Sequence, residues 1–127
     1  MTDRITKLLP SLKCIANQLY GYYGGEVYLV GSALQKENSR DIDIRVIVTQ
    51  EDFERLFGKY SDFSMEFNSG VFSITAWRWV EDRLKRCRDL SKRTGENIDF
   101  CCWHVEMWKP VEYPNHIRLD TREDFDI

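Results

Sequence analysis

Three acidic residues stand where acids are costly, inside apolar runs. Asp41 and Asp43 open the run Asp41-Ile42-Asp43-Ile44-Arg45-Val46-Ile47-Val48, and Asp99 interrupts the later run Ile98-Asp99-Phe100. In a strand, alternate side chains share a face, so Asp41 and Asp43 point one way while Ile42, Ile44, Val46 and Val48 point the other. Two like charges side by side repel unless something positive sits between them, and a divalent metal is the usual remedy. Asp99 is equally expensive in its apolar setting unless a metal or a cation meets it. Upstream, the apolar run Val27-Tyr28-Leu29-Val30 ends abruptly in Gly31-Ser32. These types and spacings point to a metal-dependent, phosphate-handling site.

The elements that must position these residues follow from periodicity. Residues 3–21 carry Ile5, Leu8, Leu9, Leu12, Ile15, Ala16 and Leu19 at helix spacing. Pro10 predicts a kink or a helix that starts there, with Gly21 and Gly24-Gly25 ending it. Glu26 to Val30 reads as a buried strand and Asp41 to Val48 as a second. The link Ala33 to Arg40 is shorter than a parallel crossover needs, so the two are antiparallel neighbours or are joined through one short helical turn. Thr49 predicts an N-cap for a short helix with Phe53, Leu56 and Phe57 inward. Residues 62–75 alternate around Asn68-Ser69-Gly70 as a hairpin, the competing form being a strand that runs straight into the next helix. From Ala76 to Thr94 the pattern is helical, with Trp77, Val80, Leu84, Cys87 and Ser91 on one face and Gly95 as the C-cap. Asn97 to Val105 is the last clear strand. After Pro110 the chain reads as irregular and ends acidic.

The 127 residues form one domain, with a core over about 3–105 and an irregular acidic tail over 106–127. Apolar residues make up 43% and charged residues 31%, as in an ordinary globular chain, and aromatics reach 13%. Cys14, Cys87, Cys101 and Cys102 lack metal-type spacing and predict reduced, buried thiols. No hydrophobic leader and no apolar run long enough to span a bilayer is present, so a cytoplasmic protein with no membrane partner is expected. The net charge is −3, which does not advertise nucleic acid as a partner. Residues 76–94 nevertheless hold seven basic and three acidic residues. Arg78, Lys85 and Lys92 form a stripe there, either a solvated face or a landing strip for phosphates. His104 falls out of phase with Asp99 and predicts a structural role, and His116 is expected to be solvated.

The ordered set of an apolar residue, Gly31-Ser32, a loop, Asp41-Ile42-Asp43-Ile44 and a later apolar strand with one Asp resembles the signature of the DNA polymerase β-type nucleotidyltransferase superfamily. The resemblance covers about residues 26–105. Arg-Asp-Ile-Asp-Ile-Arg followed by Arg-Thr-Gly and Ile-Asp-Phe is also similar to small nucleotidyltransferase-like proteins of phages and bacteria. It implies an α+β palm, a short mixed or antiparallel sheet flanked by α-helices. The implied reaction moves a nucleoside monophosphate from a nucleoside triphosphate to a hydroxyl acceptor and releases pyrophosphate. Asp41 and Asp43 would hold two Mg²⁺ or Mn²⁺ ions; Asp99 would share the second and help take the acceptor's proton. Gly31 would let the backbone approach the triphosphate, and Ser32 would offer a hydroxyl and an N–H to it. Lys36, Arg40 and Arg45 are candidate phosphate contacts, a salt bridge to Asp43 being an equal alternative for Arg45.

The chain departs from the family in two ways. Ala33-Leu34-Gln35-Lys36 stands where many members have Arg-Gly, and nothing here can serve as the helical second domain of larger members. The acceptor would be bound by this domain's own aromatics, by a second copy, or by a partner protein. The alternative function is a non-catalytic nucleotide- or protein-binding module of the same fold, for example one half of a toxin–antitoxin-like pair. A nucleic-acid binder using the basic helix is disfavoured by the acidic balance.

Overall fold

The computed structural model describes residues 1–63, 73–111 and 115–120. The hairpin expected over 62–75 and the chain end at 121–127 fall mostly or wholly outside the described residues.

The fold is α+β: a four-stranded mixed sheet flanked by helices. Helix α1 spans Asp3–Tyr23 and buries Ile5, Leu12, Ile15, Ala16, Leu19 and Tyr23. The Thr2 side chain caps it by accepting from the Ile5 amide. The helix neither starts nor breaks at Pro10. That residue lies on the exposed side, where the carbonyl it leaves without an amide partner can be hydrated. Gly21 stays within the helix, and Gly24, left-handed at φ 77°, ends it.

Strand β1 (Glu26–Val30) runs antiparallel to β2 (Ile42–Val48), which runs parallel to β3 (Ile98–His104). The link between β1 and β2 is short and contains a 3₁₀ turn at Ser32–Leu34, as expected. Helix α2 (Gln50–Leu56) is capped by Thr49 and buries Phe53, with Phe57 buried just beyond it.

The region after Val105 is not irregular. Val105–Val111 form helix α4, and His116–Arg118 form β4, antiparallel to β1. Leu119 is fully buried, and Asp120 accepts the Val27 amide at 3.0 Å. A three-residue strand is too short to show an alternating pattern; the open edge of β1 is what recruits it. The sheet order is therefore β3-β2-β1-β4.

One sheet face, carrying Val27, Leu29, Ile42, Ile44, Val46, Ile98 and Phe100, packs into the helical core. The other face carries Tyr28, Asp43, Arg45, Asp99 and Trp103, and α4 lies against it, Trp108 stacking on Tyr28 with centroids 5.0 Å apart. Cys101 and Cys102 point to opposite faces yet both are buried, because both faces are covered there. Cys14 is exposed and Cys87 half-buried, against the expectation of four buried thiols; all four are free. His104 is buried on the core side, stacked on Tyr60 at 3.7 Å, the structural role expected of it. His116 lies in β4, exposed, with edge contacts to Tyr28 and Trp108.

Helix α3 (Ile74–Thr94) departs most from its expected facing. Trp77 and Leu84 are 61% and 59% exposed, and the buried positions include Ala76, Trp79 and Leu90. The reason is that α3 lies along the open edge of β3. Trp79 Nε1 donates to the Cys102 carbonyl at 2.7 Å, and Phe100 N–H donates to Cys87 Sγ at 3.2 Å. Ile98 N–H donates to Ser91 Oγ at 2.9 Å. Side chains at i, i+8 and i+12 (Trp79, Cys87 and Ser91) thus satisfy edge backbone groups that would otherwise be left unpaired. The inward row is polar because it bonds a strand edge. Among the described residues no helix is long and apolar enough to cross a membrane.

Candidate active site at the strand ends

The register aligns the acids. Val30 of β1 pairs with Asp43 of β2, which pairs with Asp99 of β3, so one row crosses three strands on one face. Neighbouring strands stand about 4.8 Å apart, so the paired Asp43 and Asp99 side chains rise side by side and each carboxyl feels the charge of the other.

Gly31 is built around Asp43. Its backbone, at φ 86° and ψ −163°, lies in a region open essentially to glycine alone. A Cβ there would stand 2.6 Å from Asp43 Oδ2. The missing side chain makes room for the carboxylate, a role nearer than the triphosphate contact the resemblance implies. Ser32 opens the 3₁₀ turn, and its hydroxyl hydrogen-bonds that of Ser39 at 2.9 Å. Ser39 in turn donates to the Asp41 carbonyl at 3.2 Å. Arg4 of α1 ties down this loop through the Ser39 carbonyl and Glu96. Asp41 itself lies just before β2, exposed, its carboxylate accepting from Asn97 Nδ2. Lys36 and Arg40 are exposed on the loop and take no part in these ion pairs.

Arg45 pairs with Asp99, not with Asp43. It is 7% exposed, with Nη2 at 3.3 Å from Asp99 Oδ2 and Nη1 donating to the carbonyls of Asp99 at 2.8 Å and Ile44 at 3.0 Å. Its guanidinium lies 5.3 Å from the Trp103 ring centroid. Burial removes it from the exposed surface a phosphate would reach first. The other Asp99 oxygen accepts from Arg83 of α3 at 3.1 Å.

These neighbours split the two carboxyls. Burial pushes the Asp43 carboxyl up; Arg45 pulls it back, but Asp99 and Asp41 add to the rise, and it ends above the usual carboxylate range. Burial would raise Asp99 too, but Arg45 and Arg83 outweigh it and hold that carboxyl below the range. The Asp99 ion pairs therefore contribute stability that is present above the unfolded pKa of about 4 and lost as pH falls through the lower folded value. Asp99→Asn is expected to be less stable than the parent at neutral pH and to show a smaller further loss on acidification. Urea midpoints between neutral and acid pH check this; parallel curves for the two proteins would contradict it.

In kind, the donors fit a hard divalent cation: carboxylate oxygens, two of them crowded in a way such a cation relieves. Mg²⁺ is commonly held by one or two carboxylates plus substrate phosphates, and Asp41 and Asp43 suit that mode. Asp99 is matched by two guanidiniums instead. Among the described residues no group of three His, Cys, Asp or Glu side chains is placed to hold a metal ion. Asp99 can join the set only when Arg83 moves off it.

Arg83 and Asn97 escape a reading of the sequence. The signal for Arg83 is the row Trp79, Arg83, Cys87 and Ser91, four hydrogen-bonding side chains at helical i, i+4 spacing. Comparison with known proteins finds no family model, curated protein or solved structure that matches the chain.

Proposed function

We propose that this chain is a nucleotidyltransferase that moves a nucleoside monophosphate from a nucleoside triphosphate to a hydroxyl acceptor and releases pyrophosphate, with Mg²⁺ or Mn²⁺ as cofactor. The observation that carries this reading is the in-register pair Asp43–Asp99 with Gly31 folded against Asp43 and Ser32 opening the next turn. Nucleotidyl transfer asks a protein for positioning and charge neutralisation rather than covalent help. The acceptor oxygen attacks the α-phosphorus, the bond from that phosphorus to the bridging oxygen breaks, and its electron pair leaves with pyrophosphate. The divalent ion, when bound, neutralises and aligns the phosphate oxygens. Asp41 and Asp43 would hold it, with Asp99 the remaining ligand for a second ion. Asp99 would also take the acceptor's proton, becoming a stronger base as Arg83 withdraws. Ser32, Lys36 and Arg40, all exposed beside the strand ends, meet the polyphosphate. Arg45 holds Asp99 from beneath.

Incubation with Mg²⁺, a cell extract and triphosphates labelled at the α-phosphorus is expected to label an acceptor, while γ-label stays with pyrophosphate. Absence of transfer, together with no Mg²⁺-dependent binding of α,β-methylene triphosphates, would overturn the proposal. One observation favours a second reading, a non-catalytic nucleotide-binding module: both Asp99 oxygens are taken by arginines. Under it triphosphate binds without transfer and Asp99→Asn leaves binding unchanged.

A further inference from the structure

The two arginines on Asp99 are held very differently. Arg45 is immobilised, its guanidinium donating to two backbone carbonyls as well as to the carboxylate. It is also 7% exposed, enclosed where the Arg83 side chain is not. The Arg83 side chain is 42% exposed, and its hold on Asp99 is a single ion pair. An ion pair of that kind is weak and readily exchanged. The other members of its helical row, Trp79, Cys87 and Ser91, bond the β3 backbone; Arg83 alone of the row reaches an acid of the candidate site. A guanidinium presents a planar fork that matches phosphate oxygens, and Asp99 keeps its second cation if Arg83 leaves.

We propose that Arg83 is a phosphate-binding residue with two positions: without ligand it neutralises Asp99, and when a nucleoside triphosphate binds it turns to the polyphosphate and exposes the Asp99 carboxylate. The proposal rests on the nucleotidyltransferase reading. It couples the arrival of substrate to the freeing of the third acid.

The test compares the parent with Arg83→Gln and Arg83→Lys by calorimetry. The ligands are the α,β-methylene analogues of ATP, GTP, CTP and UTP and the four monophosphates, all in Mg²⁺. Arg83→Gln is expected to weaken triphosphate binding roughly 10-fold or more and to leave monophosphate binding nearly unchanged. Arg83→Lys, which keeps the charge without the fork, should fall between. In a Mn²⁺ titration without nucleotide, Arg83→Gln should bind the ion more tightly than the parent, since one competing cation is gone. Equal triphosphate affinity in parent and Arg83→Gln overturns the role of Arg83 while leaving the nucleotidyltransferase reading intact. A parent that binds none of the four analogues overturns that reading, and this proposal with it.

Discussion

Asp43→Asn is expected to weaken Mg²⁺-dependent triphosphate binding by at least ~10²-fold, to stop transfer, and at the same time to raise the melting temperature at neutral pH. Outer-shell changes at metal sites already cost about 10–100-fold, so removal of a direct ligand belongs at or beyond the upper end. The gain in stability has a separate cause. Burial, with Asp99 and Asp41 adding to it, raises the Asp43 carboxyl in the folded chain despite the pull of Arg45. A carboxyl whose folded pKa exceeds its unfolded one contributes stability below the unfolded pKa of about 4 and loses it as pH rises through the folded value. At neutral pH the ionised Asp43 therefore opposes folding. Asparagine keeps the shape beside Gly31 and removes the charge. The stabilisation should vanish in acid, where the parent's Asp43 is protonated as well. Melting curves at neutral and acid pH, with calorimetry of a triphosphate analogue, read both effects. A variant that is destabilised at neutral pH would mean that Asp43 is stabilised by its partners, and the account of the strained carboxylate pair would fail.

Gly31→Ala should lose both stability and function. The backbone conformation at Gly31 is closed to other residues at a cost of about 1–3 kcal/mol. The new Cβ would also meet Asp43 Oδ2 at 2.6 Å. Either the turn or the Asp43 side chain must move, and a displacement of about 1 Å at a positioning group can cost ~10²-fold in rate. Gly21→Ala is the control. That residue lies within α1 with nothing within 4 Å of an added Cβ, so the change should stabilise by about 0.5–1 kcal/mol and leave nucleotide binding alone. Urea midpoints and triphosphate titrations distinguish the two. If Gly31→Ala binds the metal–triphosphate as the parent does, Gly31 is not what seats Asp43.

Local pattern made β1, β2 and the end of α3 legible, because each pairs a strong period with a clear stop: Gly31 after Val30, Thr49 after Val48, Gly95 after α3. The same period put His104 on the sheet face opposite Asp99, whereas Asp41, expected in the strand, lies just before it. The facing of α3 was not legible. Counting apolar residues turns Trp77 and Leu84 inward, whereas the helix in fact meets the edge of β3 and needs hydrogen-bonding side chains there. Strand β4 was missed for a related reason, since three residues carry too little pattern and the pairing is decided by the partner edge.

By itself the sequence determines a short antiparallel pair that ends in Gly31-Ser32 and begins again at two acids, and a third acid in a later apolar strand. Chain connectivity and side-chain period suffice for that, because both are local. Only the tertiary structure decides that β3 lies parallel to β2 with Asp99 opposite Asp43, that Arg45 turns to Asp99, and that Arg83 reaches the same carboxylate from α3. Those are contacts between residues far apart in the chain. Burial and charge balance at the assembled site choose them, and no local spacing encodes which cation an acid will meet.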